Sequence, residues 1–150
     1  MIDNDRIIDL RKDPDFIEQY VNLRNGYCDV LLTSPINVAD TRIWLQRDDI
    51  EIRGIVRGHV LAGVVMLFLS RKGEIAFFTK HKGAGLGSRL LGIIEVAARE
   101  RGLDGVWAWV LADNIGAQRA FEKNGFEKEG TFQKEYVGMM KHGIKYKKYL

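Results

Sequence analysis

The chain is poor in the residues that fix covalent frameworks or bind metals. It has a single cysteine, Cys28, and therefore no partner for an intrachain disulfide; the expectation is a reducing compartment, the cytoplasm. Its three histidines, His59, His81 and His142, fall in separate turn-like contexts, with neither an i, i+4 partner nor a cysteine pair nearby, so no metal is expected. Long apolar runs are also missing: the longest, Leu61 to Leu69, falls far short of the ~20 residues a membrane span needs. The opening MIDNDRIIDLRKD lacks the apolar core and small-residue cleavage site of a secretory leader, so export and membrane insertion are not expected. Nor is there an excess of one charge. Lys+Arg number 23 against 20 Asp+Glu, a formal net charge of +3, which is too little for a protein that coats nucleic acid. A sequence pI near 9.0 still favours a small anionic partner. Only two prolines occur, and no Ser/Pro-rich linker, low-complexity tract or repeat interrupts the sequence, which reads as one domain over residues 1–150.

What is present is ample apolar material, 46% of 150 residues, arranged in alternating periods. Asp13-Pro14 and Ser34-Pro35 each offer a capping oxygen and a proline for the first helical position, predicting two short helices with stripes through Phe16, Ile17, Tyr20, Val21 and through Ile36, Ala39, Ile43, Trp44. From Glu51 to Lys80 the pattern becomes three β-rich runs divided at Arg57-Gly58 and Lys72-Gly73, an antiparallel meander. Leu86 to Arg101 returns to helical spacing and ends at Gly102. Gly105 to Ala112 is continuously apolar, as expected of a strand covered on both faces and reached by a parallel crossover, with Trp107 and Trp109 in the core. Asp113-Asn114 caps a further helix that Asn124-Gly125 stops, and strands over Phe126 to Val137 and Ile144 to Leu150 finish the chain. The fold class is a mixed α/β sheet of order β-α-α-β-β-β-α-β-α-β-β.

The segment richest in chemistry is Lys82-Gly83-Ala84-Gly85-Leu86-Gly87-Ser88, where alternating glycines lie between a strand and the first turn of a helix. Glycines let successive N–H groups converge without a Cβ in the way, and the helix N-terminus adds about half a positive charge, so the segment is suited to a diphosphate. A Walker loop would need Gly-Lys-Ser/Thr after four intervening residues, and none occurs. A dinucleotide fingerprint counted from Gly83 would need glycine at Ser88 and an acidic residue ending the next strand, which closes instead on Val110-Leu111-Ala112.

Lys82-Gly83-Ala84-Gly85-Leu86-Gly87 resembles the Gln/Arg-x-x-Gly-x-Gly/Ala motif of the GNAT superfamily of N-acetyltransferases, with lysine in the first position. Asn114 to Phe126, ending Phe121-Glu122-Lys123-Asn124-Gly125-Phe126, resembles that family's second signature in the right order. The resemblance covers roughly Glu51 to Phe126. It implies the GNAT-like fold, a sheet splayed at a cofactor cleft, and acetyl-coenzyme A as acetyl donor. Gly83, Ala84, Gly85, Leu86, Gly87 and Ser88 would hold the pyrophosphate, with Lys82, Arg89 and Lys123 adding positive field. Phe77 and Phe78 would offer main-chain groups to the pantetheine arm, Asn114 would hold its far end, and Phe121 would lie beside it.

The reaction implied is direct attack of a neutral amine on the thioester, which asks for two proton-handling groups. Glu74, at the start of the strand leading to the glycine loop and on the face of Ala76 and Phe78, is the candidate base, acting through water. Phe121 stands where many members carry a tyrosine that protonates the departing thiolate, so solvent or Tyr136 is left for that task. Leu23-Arg24-Asn25 and Thr41-x-x-Trp44-Leu45 resemble the spacing of GNAT enzymes that acetylate amino groups on nucleotide-linked sugars, and are also similar to the subgroup acting on ribosomal protein N-termini. Arg24, Asn25 and Arg42, with Arg53, suit an acceptor bearing phosphate or carboxylate; the partner expected from the resemblance is a small-molecule amine, such as an amino sugar, with no nucleic acid and no membrane, on a monomer or homodimer. The alternatives are a protein N-terminal or lysine acetyltransferase, and a regulatory module that binds acyl-coenzyme A without turnover.

Overall fold

A computed structural model describes residues 5–82 and 85–150. β1 (Asp5–Asp9) leads through a 3-10 turn at Pro14–Phe16 into α1 (Ile17–Asn25), the single turn α2 (Cys28–Leu31) and α3 (Val38–Trp44). β2 (Ile50–Arg57), β3 (Val60–Phe68) and β4 (Glu74–Thr79) form the expected meander; α4 (Leu86–Glu100) crosses to β5 (Gly105–Leu111), α5 (Ile115–Lys123) follows, and β6 (Glu127–Tyr136) and β7 (Met139–Tyr149) close the chain as a hairpin. All seven strands form one sheet, ordered β1-β2-β3-β4-β5-β7-β6. Every pairing is antiparallel except β4 with β5.

Two cores flank the sheet. On one face α4 buries Leu86, Leu90, Leu91, Ile94, Ala97 and Ala98 against Val65, Leu67, Ile75, Val106 and Tyr146. On the other, Ile17, Tyr20 and Val21 of α1 pack with Ile8, Ile52, Val64, Met66 and Phe78. Asp5 accepts from Arg57 (2.7 Å) and Arg89 (2.5 Å), tying β1 and β2 to the first turn of α4, and these two guanidinium hydrogen bonds hold its carboxyl below the usual carboxylate range. No helix among the described residues is long and apolar enough to cross a membrane.

Three local expectations need correction. Pro14 starts a 3-10 turn rather than the helix itself, and Asp13 makes no side-chain cap. Ser34-Pro35 starts no helix at all. α3 begins at Val38, capped by Asn37, whose side chain accepts from the Asp40 N–H at 2.8 Å. The reason is non-local: both backbone groups of Ile36 are taken by the Asn25 amide, at 2.8 and 2.9 Å, which holds the segment extended. The third correction concerns β5, which is covered on one face only. Val106, Ala108 and Val110 are buried towards α4, whereas Trp107 and Trp109 lie half-buried on the opposite face under the ammonium groups of Lys145 and Lys134, 5.1 and 4.7 Å from their rings.

Candidate active site

β4 and β5 share one register pair, Glu74 with Trp107, beside the Trp107 N–H donating to the Gly73 carbonyl at 3.1 Å. Beyond it each strand keeps only its outer neighbour, β4 pairing with β3 through Thr79 and β5 with β7 through Leu111. The sheet therefore splits into a wedge that widens towards the carboxyl ends of two parallel strands, the place where open α/β sheets bind ligands.

A cavity of about 720 Å³ occupies the wedge, with Phe77, Phe78, Thr79, Lys82 and the start of α4 on one side and Asn114, Ala117, Arg119, Ala120 and Lys123 on the other. Gly85, the α4 N-cap, has φ +73°, a left-handed conformation that glycine adopts without strain. Gly87 is needed for a different reason: a Cβ there would lie 2.8 Å from Phe77 Cε2 and 3.5 Å from Ala120 Cβ. Its absence lets α4, α5 and β4 converge, bringing the amides of Leu86, Gly87 and Ser88, which have no intrahelical partners, to the mouth of the wedge. Gly83 and Ala84 lie outside the described residues. These features fit an elongated ligand with an anionic end: free helix amides, Lys82, Arg119 and Lys123 at one extremity, and a β4 edge without a strand partner along its length. Arg89 is not among the lining cations, being paired with Asp5.

Asn114 caps α5, its side-chain oxygen accepting from the Ala117 N–H at 3.2 Å, and it lines both this cavity and a second of about 530 Å³. Phe77, Val30 and Ala117 are also shared, so the two spaces adjoin. Tyr20, Trp44, Phe68 and Trp109 wall the second cavity, with Leu31 from the end of α2 and Ile36 from the segment that Asn25 holds extended. Glu74 lines it too, its side chain 14% exposed and its Oε1 accepting from Arg71 at 3.1 Å; Arg71 in turn lies 4.4 Å over the Phe68 ring. The charged lining is balanced, Arg24, Arg71 and Lys134 against Asp40, Glu74 and Glu135. The Tyr20 hydroxyl donates to Met66 Sδ at 3.5 Å and is pushed up to about 12 by burial, which keeps it protonated at neutral pH.

The other residues singled out in the sequence fall in different places. Arg24 lines the second cavity and donates to the Ser34 carbonyl at 3.2 Å. Asn25 spends both ends of its amide on Ile36 and is a clamp for the cavity wall rather than a ligand. Arg42 is exposed on α3 and lines neither cavity, and Arg53 pairs with Asp9 and Glu51 at 3.4 Å. Phe78 lines the wedge, but the residue is only 2% exposed, its ring packed in the core beneath α1. Phe121 is 2% exposed, its ring among Phe77, Phe126 and Tyr146 at 5.5, 5.0 and 5.7 Å. Tyr136 lines neither cavity; its hydroxyl donates to the Thr33 carbonyl at 3.2 Å, and burial first, then nearby Asp29 and Cys28, raises its pKa. Sequence reasoning missed Arg71, Tyr27, whose hydroxyl donates to the Thr79 carbonyl, and the cavity role of Trp109. Among the described residues no group of three or more His, Cys, Asp or Glu is placed to hold a metal.

Solved structures resemble this fold along nearly its whole length. The yncA protein of Salmonella typhimurium, solved with its cofactor acetyl-CoA, superposes with a TM-score of 0.86 at 15% identity, over 97% of this chain and 94% of that one. An N-acetyltransferase from Staphylococcus aureus Mu50 gives 0.85 at 17% identity, over 97% and 98%. A ribosomal-protein-alanine N-acetyltransferase from Brucella melitensis gives 0.80 at 20% identity, over 97% and 99%. No curated protein shows significant similarity to the chain. Residues 17–126, which contain both cavities' helical walls and the splayed strands, match the acetyltransferase (GNAT) family, and the chain belongs to that family.

Proposed function

We propose that this N-acetyltransferase moves the acetyl group of acetyl-coenzyme A to the amine of a small molecule seated in the 530 Å³ cavity. The observation that carries the proposal is the meeting of the two cavities at Phe77 and Asn114, one presenting helix amides and cations, the other a carboxylate. When bound, acetyl-coenzyme A supplies an activated thioester carbonyl. The amides of Leu86, Gly87 and Ser88 bind its diphosphate, with Lys82, Arg119 and Lys123 adding field, and the open edge of β4 orients the extended arm. From Phe78 back to Glu74 the strand covers about 13 Å, which leads from the phosphate end towards the second cavity.

Glu74 acts as general base, taking the proton of the acceptor's ammonium through a water, and Arg71 holds the carboxylate in place. Phe121 has no proton to give and the Tyr136 O–H is engaged with Thr33, so the proton for the departing sulfur comes from solvent.

A volume of 530 Å³ falls within the about 300–1,000 Å³ of small-molecule sites. Its balanced charges argue against a polycation, and its aromatic walls suit the flat face of an amino sugar or an apolar amine. The Brucella melitensis structure's name points to a protein substrate, so a peptide amine is the reading to set against this one. The test is thiol release from acetyl-coenzyme A with amino sugars, simple amines and short peptides, each also with Glu74→Gln. The proposal expects turnover with small amines, and a fall in kcat of about a hundredfold or more at neutral pH in the variant. Turnover confined to peptides, or an unchanged kcat in Glu74→Gln, would overturn it.

A further inference from the structure

Asn124, at the C-terminus of α5, faces the first turn of α4. Its Nδ2 lies 2.8 Å from the Ala120 carbonyl oxygen and 2.7 Å from Ser88 Oγ. A backbone carbonyl can only accept, which fixes the amide with its nitrogen on this side, one hydrogen to each oxygen. Ser88 Oγ must then accept from Asn124, and its own proton has to point elsewhere. Among the described residues that proton has no acceptor, and Ser88 lines the 720 Å³ wedge where the α4 amides converge. Asn124 is itself held by its backbone N–H, which is shared between the Ala120 and Phe121 carbonyls at 3.2 and 3.1 Å, just before Gly125 turns the chain at φ +85°.

We propose that Asn124 is a positioning residue for coenzyme A: by occupying the acceptor side of the Ser88 hydroxyl, it fixes that hydroxyl as a donor to the diphosphate. The inference rests on the acetyl-coenzyme A reading above. A hydroxyl already oriented loses little rotational freedom on binding, and a hydrogen bond to an anion is stronger than one between neutral groups. The same bond joins α4 to α5, the two helical walls of the wedge.

A double-mutant cycle read by calorimetry with coenzyme A, alongside thermal unfolding, tests this. Ser88→Ala should weaken binding about tenfold or more, the scale of one hydrogen bond to a charged group. Asn124→Ala should weaken it roughly three- to tenfold in the Ser88 protein and less than about twofold in the Ser88→Ala protein, because its effect passes through the hydroxyl. Asn124→Asp keeps the shape of asparagine but offers an acceptor, which would draw the Ser88 proton away; its loss should likewise be larger with Ser88 present, and this arm serves if Asn124→Ala unfolds. In turnover, Asn124→Ala should raise KM for acetyl-coenzyme A with kcat unchanged, and leave kcat/KM for S-acetylpantetheine, which has no diphosphate, as in the wild type. Equal losses in both Ser88 backgrounds, or no loss, would overturn the proposal. Wild-type protein giving no heat with coenzyme A would instead overturn the donor reading on which it stands.

Discussion

Replacing Gly87 with alanine separates helix stability from cleft geometry. The residue sits in the first turn of α4, so on propensity alone alanine should stabilise by up to about 1 kcal/mol. Its new Cβ would meet Phe77 Cε2 at 2.8 Å, and reaching the 3.4 Å of ordinary contact requires an opening of about 0.6 Å. The Phe77 ring has little room to retreat, because Phe121 lies behind it at 5.5 Å and is stacked in turn on Tyr146 at 5.7 Å. Overpacking of this kind costs about 1–3 kcal/mol, leaving a net loss of about 0–2 kcal/mol and a fall of up to roughly 8 °C in Tm. What should yield is the start of α4, drawing its amides from the wedge. Loosening one hydrogen bond to an anion weakens coenzyme A binding about tenfold or more. Gly92→Ala is the control: it lies in the same helix with nothing within 4 Å of its Cβ, so it should gain stability and bind coenzyme A unchanged. Thermal unfolding and calorimetry read both effects. Wild-type affinity in Gly87→Ala would refute the argument that the bare Cα at this position sets the cleft.

Asn25→Leu strands both backbone groups of Ile36, so Tm should fall by about 3–10 °C and acceptor KM should rise, with coenzyme A affinity unchanged in calorimetry. Tyr20 is raised to about 12 by burial, and Tyr146 is raised as well by burial and the neighbouring Glu122, against about 10 in the unfolded chain. A raised pKa means that the stability involved is complete below about pH 10 and is lost as pH climbs through the folded value. An ultraviolet titration should therefore show these two tyrosines ionising only as the protein unfolds; all five titrating together near pH 10 would contradict it. For Asp5 the sign reverses. Its depressed pKa gives stability that is full above about pH 4 and lost on acidification, so between about pH 4 and 2 Tm should fall more steeply in wild type than in Asp5→Asn, and parallel curves would contradict the pairing with Arg57 and Arg89.

The parts of this fold legible in the sequence are those whose causes are local. The meander turns at Gly58 and Gly73 need left-handed backbone, at φ +65° and +83°, and glycine announces them. The stripe of α4, its end at Gly102 and the Asn114 cap are readable for similar reasons, and so is the glycine start of α4 that marks the wedge. Ser34-Pro35 misled because a side chain eleven residues back from Ile36 takes the backbone bonds a helix would need. Trp107 and Trp109 misled because apolar residues alone do not tell a strand covered twice from one whose second face is roofed by lysines of β6 and β7. Residue type nominates Arg42 and Tyr136, but their directions depend on how α3 and the β6–β7 hairpin pack, which no local pattern encodes. Alternation puts Glu74 on the face of Ala76, where it lines the second cavity, because β4 is a regular strand, though its partner Arg71 comes from the turn before it.

The most direct measurement of the central claim is a titration of isotope-labelled protein with coenzyme A, followed by amide chemical shifts. The largest changes should fall at Leu86, Gly87 and Ser88 and along Phe77 to Thr79, with small ones at β1 and β2. Saturable binding that leaves those amides unmoved and perturbs another face would contradict it.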